Sequence, residues 1–356
     1  MKPYSNSELN RILRYFSVSE REYTFSTLTH GFINDTFLVF DDGSPRYILQ
    51  RINHNVFQNI SGVMNNIERA LRYLDAPDYG NINLVRTKAG HGYLELDDDT
   101  SDYWRMMTYI DDSTAHNTTT DAKIAFEAGR IIGKFHLLLE DADIENYVDT
   151  IPRFHELALR KEQFEEAIKV AGPEKKGTAA PAIDFAGEIL RVLGKMDFTQ
   201  LPVRICHNDT KLNNILFSKD THKALCLIDL DTLMKGYFLY DFGDAVRTIV
   251  NTAPEDEQDH SKITFEKDLF EAFVEGLATN PSIFSQKEIE TLPWGAVLMP
   301  FLHGLRALTD YLNDNIYYKV AYENQNLDRC LSLFDFTRKA LMEVEYMEEV
   351  VHGQLQ

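Results

Sequence analysis

The first third of the chain places its apolar residues in short runs, and the rest repeats them every three or four positions. Residues 23–29, 36–40 and 47–52 are rich in β-branched and aromatic side chains, which predicts three strands. Asp41, Asp42, Gly43, Ser44 and Pro45 separate the last two with a tight-turn composition, so those strands should form an antiparallel hairpin. Val63, Ile67, Leu71 and Leu74 then recur at helical spacing, predicting a helix over 60–74, and residues 103–110 read as another strand. After Asp111 the pattern becomes long helices. Ala128, Ile131, Ile132, Phe135 and Leu139 share one face of a segment over 124–139. Similar patterns cover 154–171, 183–193, 265–277, 294–312 and 327–351.

One β-rich island, residues 204–232, interrupts these helices. It reads as a strand over 203–206, a loop over 207–213, a strand over 215–217, a turn over 218–223 and a strand over 224–228 that ends at Asp229. The hairpin brings its two ends together, so Asp209, Asn214 and Asp229 should converge. Phosphoryl transfer from a nucleotide needs that set: a carboxylate to orient and deprotonate a hydroxyl, and an amide oxygen with a second carboxylate to hold magnesium. His207-Asn208-Asp209 followed by Asn214 also has the H-x-D-x-x-x-x-N spacing of protein-kinase catalytic loops. Lys211 sits two residues after the proposed base, where it would touch the transferring phosphate. His207 is better read as a structural hydrogen-bonder than as a catalyst. Asp231 fits three readings: a second metal ligand, a substrate contact or a solvated turn residue. Asp241-Phe242-Gly243 spells a kinase metal motif, but it follows no apolar strand. It is read instead as the start of a helix over 242–250 with Asp241 as N-cap.

Composition narrows the class. With 36 Lys and Arg against 56 Asp and Glu, the formal charge of −20 argues against a nucleic-acid or anionic-membrane surface but leaves room for local positive pockets. Three scattered cysteines form neither a disulfide framework nor a metal knuckle, which points to a reducing cytoplasm. The opening residues lack the apolar core of a signal peptide, and no run of about 18 apolar residues occurs. A soluble cytoplasmic protein is expected.

With these motifs in place, the chain resembles the aminoglycoside phosphotransferase and choline kinase superfamily. The similar strings are HGFINDTFLV (30–39), YILQRIN (47–53), GRIIGKFHLLL (129–139), HNDTKLNNIL (207–216) and LIDLDT (227–232). INDTF, ILQRIN, DTKLNNIL, IDLDT, DFGDAVR and LRALTDYL together look more narrowly like the N-acetylhexosamine 1-kinases. The resemblance implies an α+β, two-lobed protein-kinase-like fold. Residues 1–107 would form an antiparallel β-rich nucleotide-binding lobe, 108–112 a hinge, and 113–356 a mainly helical catalytic and substrate-binding lobe. It implies ATP as co-substrate, Mg²⁺ as cofactor and a small sugar as acceptor, with other acceptors (choline, homoserine, an aminoglycoside) or a non-catalytic binding protein as alternatives. Gly31 and Asn34 fall in the turn that would cover the nucleotide, Glu68 at the family's helix glutamate, and Met107 and Tyr109 at the connector beside adenine. Met106 and Met107 equally fit plain core. The family's third-strand lysine is not present: Gln50 or Arg51 would meet the phosphates. Asn208 stands where the family usually has glycine. Candidates for the acceptor are Asp209, Asp231, Asp244, Arg247, Arg306, Asp310 and Tyr317. Arg306 leads, since a cation on an otherwise apolar helix demands a partner or a ligand. The simplest alternative partner is Asp310, at helical spacing.

Overall fold

Asp42 and Gly43 both adopt positive φ (49° and 80°), the backbone of a tight hairpin turn, and they join strands β2 (Asp35–Asp41) and β3 (Ser44–Ile52). In a computed structural model that describes residues 4–28, 33–96, 102–281 and 283–356, this hairpin is the centre of an antiparallel sheet. β1 (Thr24–Leu28), β4 (Leu94–Leu96) and β5 (Asp102–Thr108) complete it in the order β1-β2-β3-β5-β4. Strand side chains alternate between faces, and here the two faces have different neighbours. Phe37, Val39, Leu49, Trp104 and Met106 pack with Leu9, Ile12 and Leu13 of the short helix α1 (Asn6–Leu13). Ile52, Tyr103 and Met107 join the larger core, which takes in helix α2 (Ile60–Tyr73) and the C-terminal part. The helix α1 escapes the hydrophobic pattern because it is only about two turns long with few apolar positions; Ser5 and Glu8 close its start with a capping box.

The C-terminal part is helical, as the periodicity predicts. Helix α3 (Ala122–Leu138) is followed by α4 (Leu157–Val170), α5 (Pro173–Thr178) and α6 (Ala180–Leu193), and later by α7 (Phe238–Ile249) and α8 (Lys267–Ala278), which packs against α3. The longest helix, α9 (Gln286–Leu312), begins eight residues before the predicted segment. Pro293 imitates a helix start, while the true start is the Ser285/Glu288 capping box upstream. The predicted single helix over 327–351 is two, α10 (Gln325–Met342) and α11 (Val344–Leu355), parted at Glu343. Threaded through them are β6 (Ser113–Thr114), β7 (Arg204–Cys206), β8 (Ile215–Ser218), β9 (Ala224–Leu227) and β10 (Met234–Gly236). β8 and β9 form the expected antiparallel hairpin, extended by β6, and β10 pairs with β7. The two-lobed α+β architecture is therefore present. Asn66 pins the lobes together: its buried amide donates to the carbonyls of Val148 and Leu233 (2.7 and 2.8 Å).

Candidate active site

The loop before β8 is built by hydrogen bonds to its own hairpin. The Ile228 N–H donates to the Asn214 carbonyl (2.8 Å), which sets Asn214 beside the end of β9, one residue from Asp229. Asn214 Nδ2 donates to Asp209 Oδ2 (2.7 Å) and to the Asp209 carbonyl (2.8 Å), and Lys211 Nζ also donates to Asp209 Oδ2 (2.8 Å). Among the described residues nothing donates to Asp209 Oδ1, so one carboxylate oxygen is fixed and the other is left without a donor. Asn208 has φ of 62°, the left-handed region that favours glycine and admits asparagine. Its amide donates to the Cys206 and Thr232 carbonyls (both 3.1 Å), which holds that backbone shape without glycine. Asp229 also has φ of 62°. Burial and the neighbouring Asp231 push its carboxyl up to about 6, against a partial counter-effect from Lys211. The Asp209 and Asp229 charges in turn raise Lys211 against the opposing effect of its burial, so the lysine is a cation.

His207 is structural, as the sequence suggests. It is fully buried, its Nε2 lies 2.9 Å from the Ile228 carbonyl, and Nδ1 accepts from the Asp209 N–H (3.3 Å). Asp241 is not the N-cap expected of it. Helix α7 starts four residues earlier than expected, after Tyr237, which leaves Asp241 inside the first turn with no exposed surface. Its carboxylate accepts from the backbone N–H groups of His207 (2.8 Å) and Asn208 (2.6 Å), and Oδ2 lies 2.8 Å from His136 Nε2. Thr210 Oγ1 donates to the Asp241 carbonyl (2.5 Å). Three elements, α3, α7 and the catalytic loop, thus meet on one carboxylate.

On the N-terminal side the structure separates the two β3 candidates. Gln50 lies on the face shared with α2, whereas Arg51 lies on the α1 face and is held there by Asp102 (2.8 Å) and Asp35 (3.1 Å). Glu68 pairs with Arg86 (2.8 Å) and with neither β3 residue. The cation beside Gln50 is one that the sequence reading passed over: Arg105 of β5, the register partner of Gln50, donates its Nε to Gln50 Oε1 (2.9 Å). Its Nη1 pairs with Asp231 across the lobes. An arginine inside the apolar string YWRMMTYI was the available signal. Asn34 Nδ2 donates to the other Asp231 oxygen (2.6 Å), so Asp231 is neither solvated nor at a loose turn. Met107 is partly buried against the core at the end of β5, and the Tyr109 N–H donates to the Arg46 carbonyl (3.0 Å). Gly31 lies outside the described residues.

The acceptor candidates divide into two groups. Asp310 accepts from the Tyr317 and Tyr318 N–H groups (2.8 and 2.9 Å) and from Asn326 (2.9 Å), which makes it the anchor of the following loop and removes it as a partner for Arg306. Tyr317 keeps an exposed ring against Tyr318. Arg247 is buried between Asp244 (2.7 Å) and Glu255. Asp244 keeps Oδ2 unpartnered, and His303 Nε2, 3.3 Å from Asp244 Oδ1 but outside hydrogen-bond alignment, is also unpartnered among the described residues. Arg306 has no carboxylate partner among the described residues; it lies over the rings of Phe154 (5.1 Å) and Tyr318 (6.0 Å). Burial and the Arg306 charge lower the neighbouring Arg160 to about 10.

Two buried histidines in this region make stability depend on pH. Burial lowers His155 to about 3 and His303 to about 4. The unfolded chain therefore binds protons between pH ~6.5 and 4 that the folded chain refuses, so this stability is complete above the unfolded value and lost as pH falls. Asp229, raised to about 6, works in the opposite direction over the same range but by a smaller shift. We expect the melting temperature to fall steadily between pH 6.5 and 4, with a shallower slope in His303→Gln. An equal slope in that variant would exclude His303 as a source.

A loop aspartate with a fixed lysine and amide, set near a second carboxylate, is the kind of constellation that phosphoryl transfer calls for. The sequence matches the APH phosphotransferase enzyme family over residues 24–261, and the chain belongs to that family. Solved structures share the fold at low identity. The spectinomycin phosphotransferase crystallised with ADP and spectinomycin has a TM-score of 0.64 at 14% identity, over 98% of this chain and 100% of its own. The amicoumacin kinase in complex with AMP-PNP, Ca²⁺ and amicoumacin gives 0.62 at 14%, over 94% of each chain. The choline kinase of Cryptosporidium parvum gives 0.60 at 14%, over 99% of each. Among the described residues no helix is long and apolar enough to cross a membrane.

Proposed function

We propose that this phosphotransferase is an ATP- and Mg²⁺-dependent sugar kinase that phosphorylates the anomeric hydroxyl of an N-acetylhexosamine, N-acetylglucosamine or N-acetylgalactosamine. The observation that supports the reading is a mixture of unmatched groups in the helical part: a buried carboxylate oxygen of Asp244, the Nε2 of His303, 3.3 Å from the other Asp244 oxygen, and Arg306, which has no counter-ion among the described residues. A neutral, polyhydroxylated acceptor with an amide satisfies such a set, because hydroxyls both donate and accept and an amide carbonyl accepts from arginine. A cationic acceptor would meet Arg306 and Arg160 instead of an acidic or aromatic cage.

In this reading Asp209 Oδ1 accepts the proton of the attacking hydroxyl and aims its oxygen, while Lys211 offsets charge on the moving phosphoryl group. The Asn214 amide oxygen and the Asp229 carboxylate would hold Mg²⁺; they are hard oxygen donors, and a carboxylate raised by burial and a neighbouring acid gains from a divalent cation. Held there, the ion would supply positive charge against the phosphates of the nucleotide. The hinge at 108–112 and the adenine contacts at Met107 and Tyr109 belong to the same proposal.

An ADP-release assay across N-acetylglucosamine, N-acetylgalactosamine, choline, homoserine and kanamycin tests the acceptor. We expect an N-acetylhexosamine to exceed the cationic acceptors in kcat/KM by about 100-fold or more. Turnover of choline or kanamycin without the hexosamines would overturn the sugar reading and leave the phosphotransferase intact.

A further inference from the structure

The N-terminal sheet carries three described cations, Arg46, Arg51 and Arg105. Arg46 is exposed near the hairpin turn, and Arg51 is committed to Asp35 and Asp102 on the α1 face. Arg105 lies on the Gln50 face, where its side chain is 1% exposed and that of its partner Asp231 is 2% exposed. Asp231 stands two residues beyond Asp229, so the guanidinium is delivered to the end of β9. Gln50 does not compete for that place. Its Nε2 donates to Thr36 Oγ1 (3.1 Å) and its Oε1 accepts from Arg105 Nε, so the neutral amide is a brace for the arginine.

Two of the three guanidinium nitrogens are thereby engaged, Nε by Gln50 and Nη1 by Asp231, and Nη2 has no acceptor among the described residues. A buried arginine held on two sides with donors left over is a preorganised anion contact. Building on the nucleotide-dependent reading above, we propose that Arg105 supplies, from β5, the phosphate-contacting cation that β3 lacks, with Gln50 and Asp231 as the residues that aim it. The assignment explains two otherwise separate features: an uncharged residue on β3, and a buried ion pair between lobes at the mouth of the metal site. It also explains why Glu68 is free to pair with Arg86, since no β3 cation needs it.

The test measures binding without turnover. Titration of the protein with Mg-ADP and, separately, with adenosine reports phosphate recognition and base recognition independently. Removing Arg105 alone strands a buried carboxylate and endangers folding. The informative comparison is therefore Arg105→Met/Asp231→Asn against Asp231→Asn, with Arg105→Lys as the charge-retaining variant. We expect the double variant to bind Mg-ADP about tenfold to 100-fold more weakly than its Asp231→Asn parent, with adenosine affinity unchanged and part of the loss recovered in Arg105→Lys. Unchanged Mg-ADP affinity, or an equal loss for both ligands, overturns the assignment. If the wild-type protein itself fails to bind Mg-ADP, the nucleotide reading falls and this inference falls with it, an outcome the wild-type titration shows before any variant is made.

Discussion

Asp209→Asn should lower turnover by about three orders of magnitude while leaving Mg-nucleotide affinity within roughly twofold. The expectation follows from how the two carboxylate oxygens are used. Oδ2 is held by Lys211 and Asn214, and Oδ1 has no donor among the described residues, so the open oxygen is the one that can take a proton from an incoming hydroxyl. An asparagine keeps the shape but cannot accept that proton, and its amide must turn an N–H either toward Lys211 or toward the acceptor. Affinity for nucleotide should survive because Asp209 hydrogen-bonds only within its own loop among the described residues. Single-turnover kinetics with the best acceptor, alongside a nucleotide titration, separate the two effects. Near-normal turnover in the variant removes Asp209 from the mechanism. Loss of nucleotide binding together with turnover would instead mean that the loop has lost its shape.

The residues that touch phosphate or acceptor in this reading were legible in the sequence where a local string carried them. His207 to Asn214 is such a string, and the hairpin that returns to Asp229 is short enough to be read from its turn and its apolar strands. The layout of strands first and helices later was legible for the same reason, because each element announces its period locally. What escaped is what depends on pairing between distant segments. Whether Gln50 or Arg51 faces the cleft is decided by which face of the sheet receives α1, and nothing within β3 states that. Arg105 becomes the cation of the cleft only through its register with Gln50 and through Asp231, a residue 126 positions away. The Arg306–Asp310 pair, plausible at helical spacing, fails because the carboxylate is consumed by a loop that folds back on it. Long-range hydrogen bonds, then, set the identity of the cations, while local pattern set the elements that carry them.

The same contrast governs Asp241, whose replacement should have the largest effect on stability. Within Asp241-Phe242-Gly243 the three letters match a kinase metal motif, yet the carboxylate has no exposed surface and is spent on the N–H groups of His207 and Asn208 and on His136. Those partners lie on β7's exit and on α3, 33 to 105 residues away, so the carboxylate ties the catalytic loop to the helical body. Asp241→Ala would leave the two backbone donors and the imidazole buried without an acceptor and open a small void. Each unmatched donor costs about 1–3 kcal/mol, and breaking a buried polar cluster of this kind costs about 3–5 kcal/mol in all. Asp241→Asn keeps the volume and one acceptor oxygen, so its loss should be about half as large. Urea unfolding of both variants, with the slope of the transition compared to the wild type, measures the difference. A loss below about 1 kcal/mol in Asp241→Ala would show that the loop does not depend on this carboxylate. The expected loss would carry a second consequence: Asn208 would be held in its left-handed conformation by its side-chain amide alone, so the aim of Asp209 would loosen before the fold itself is lost.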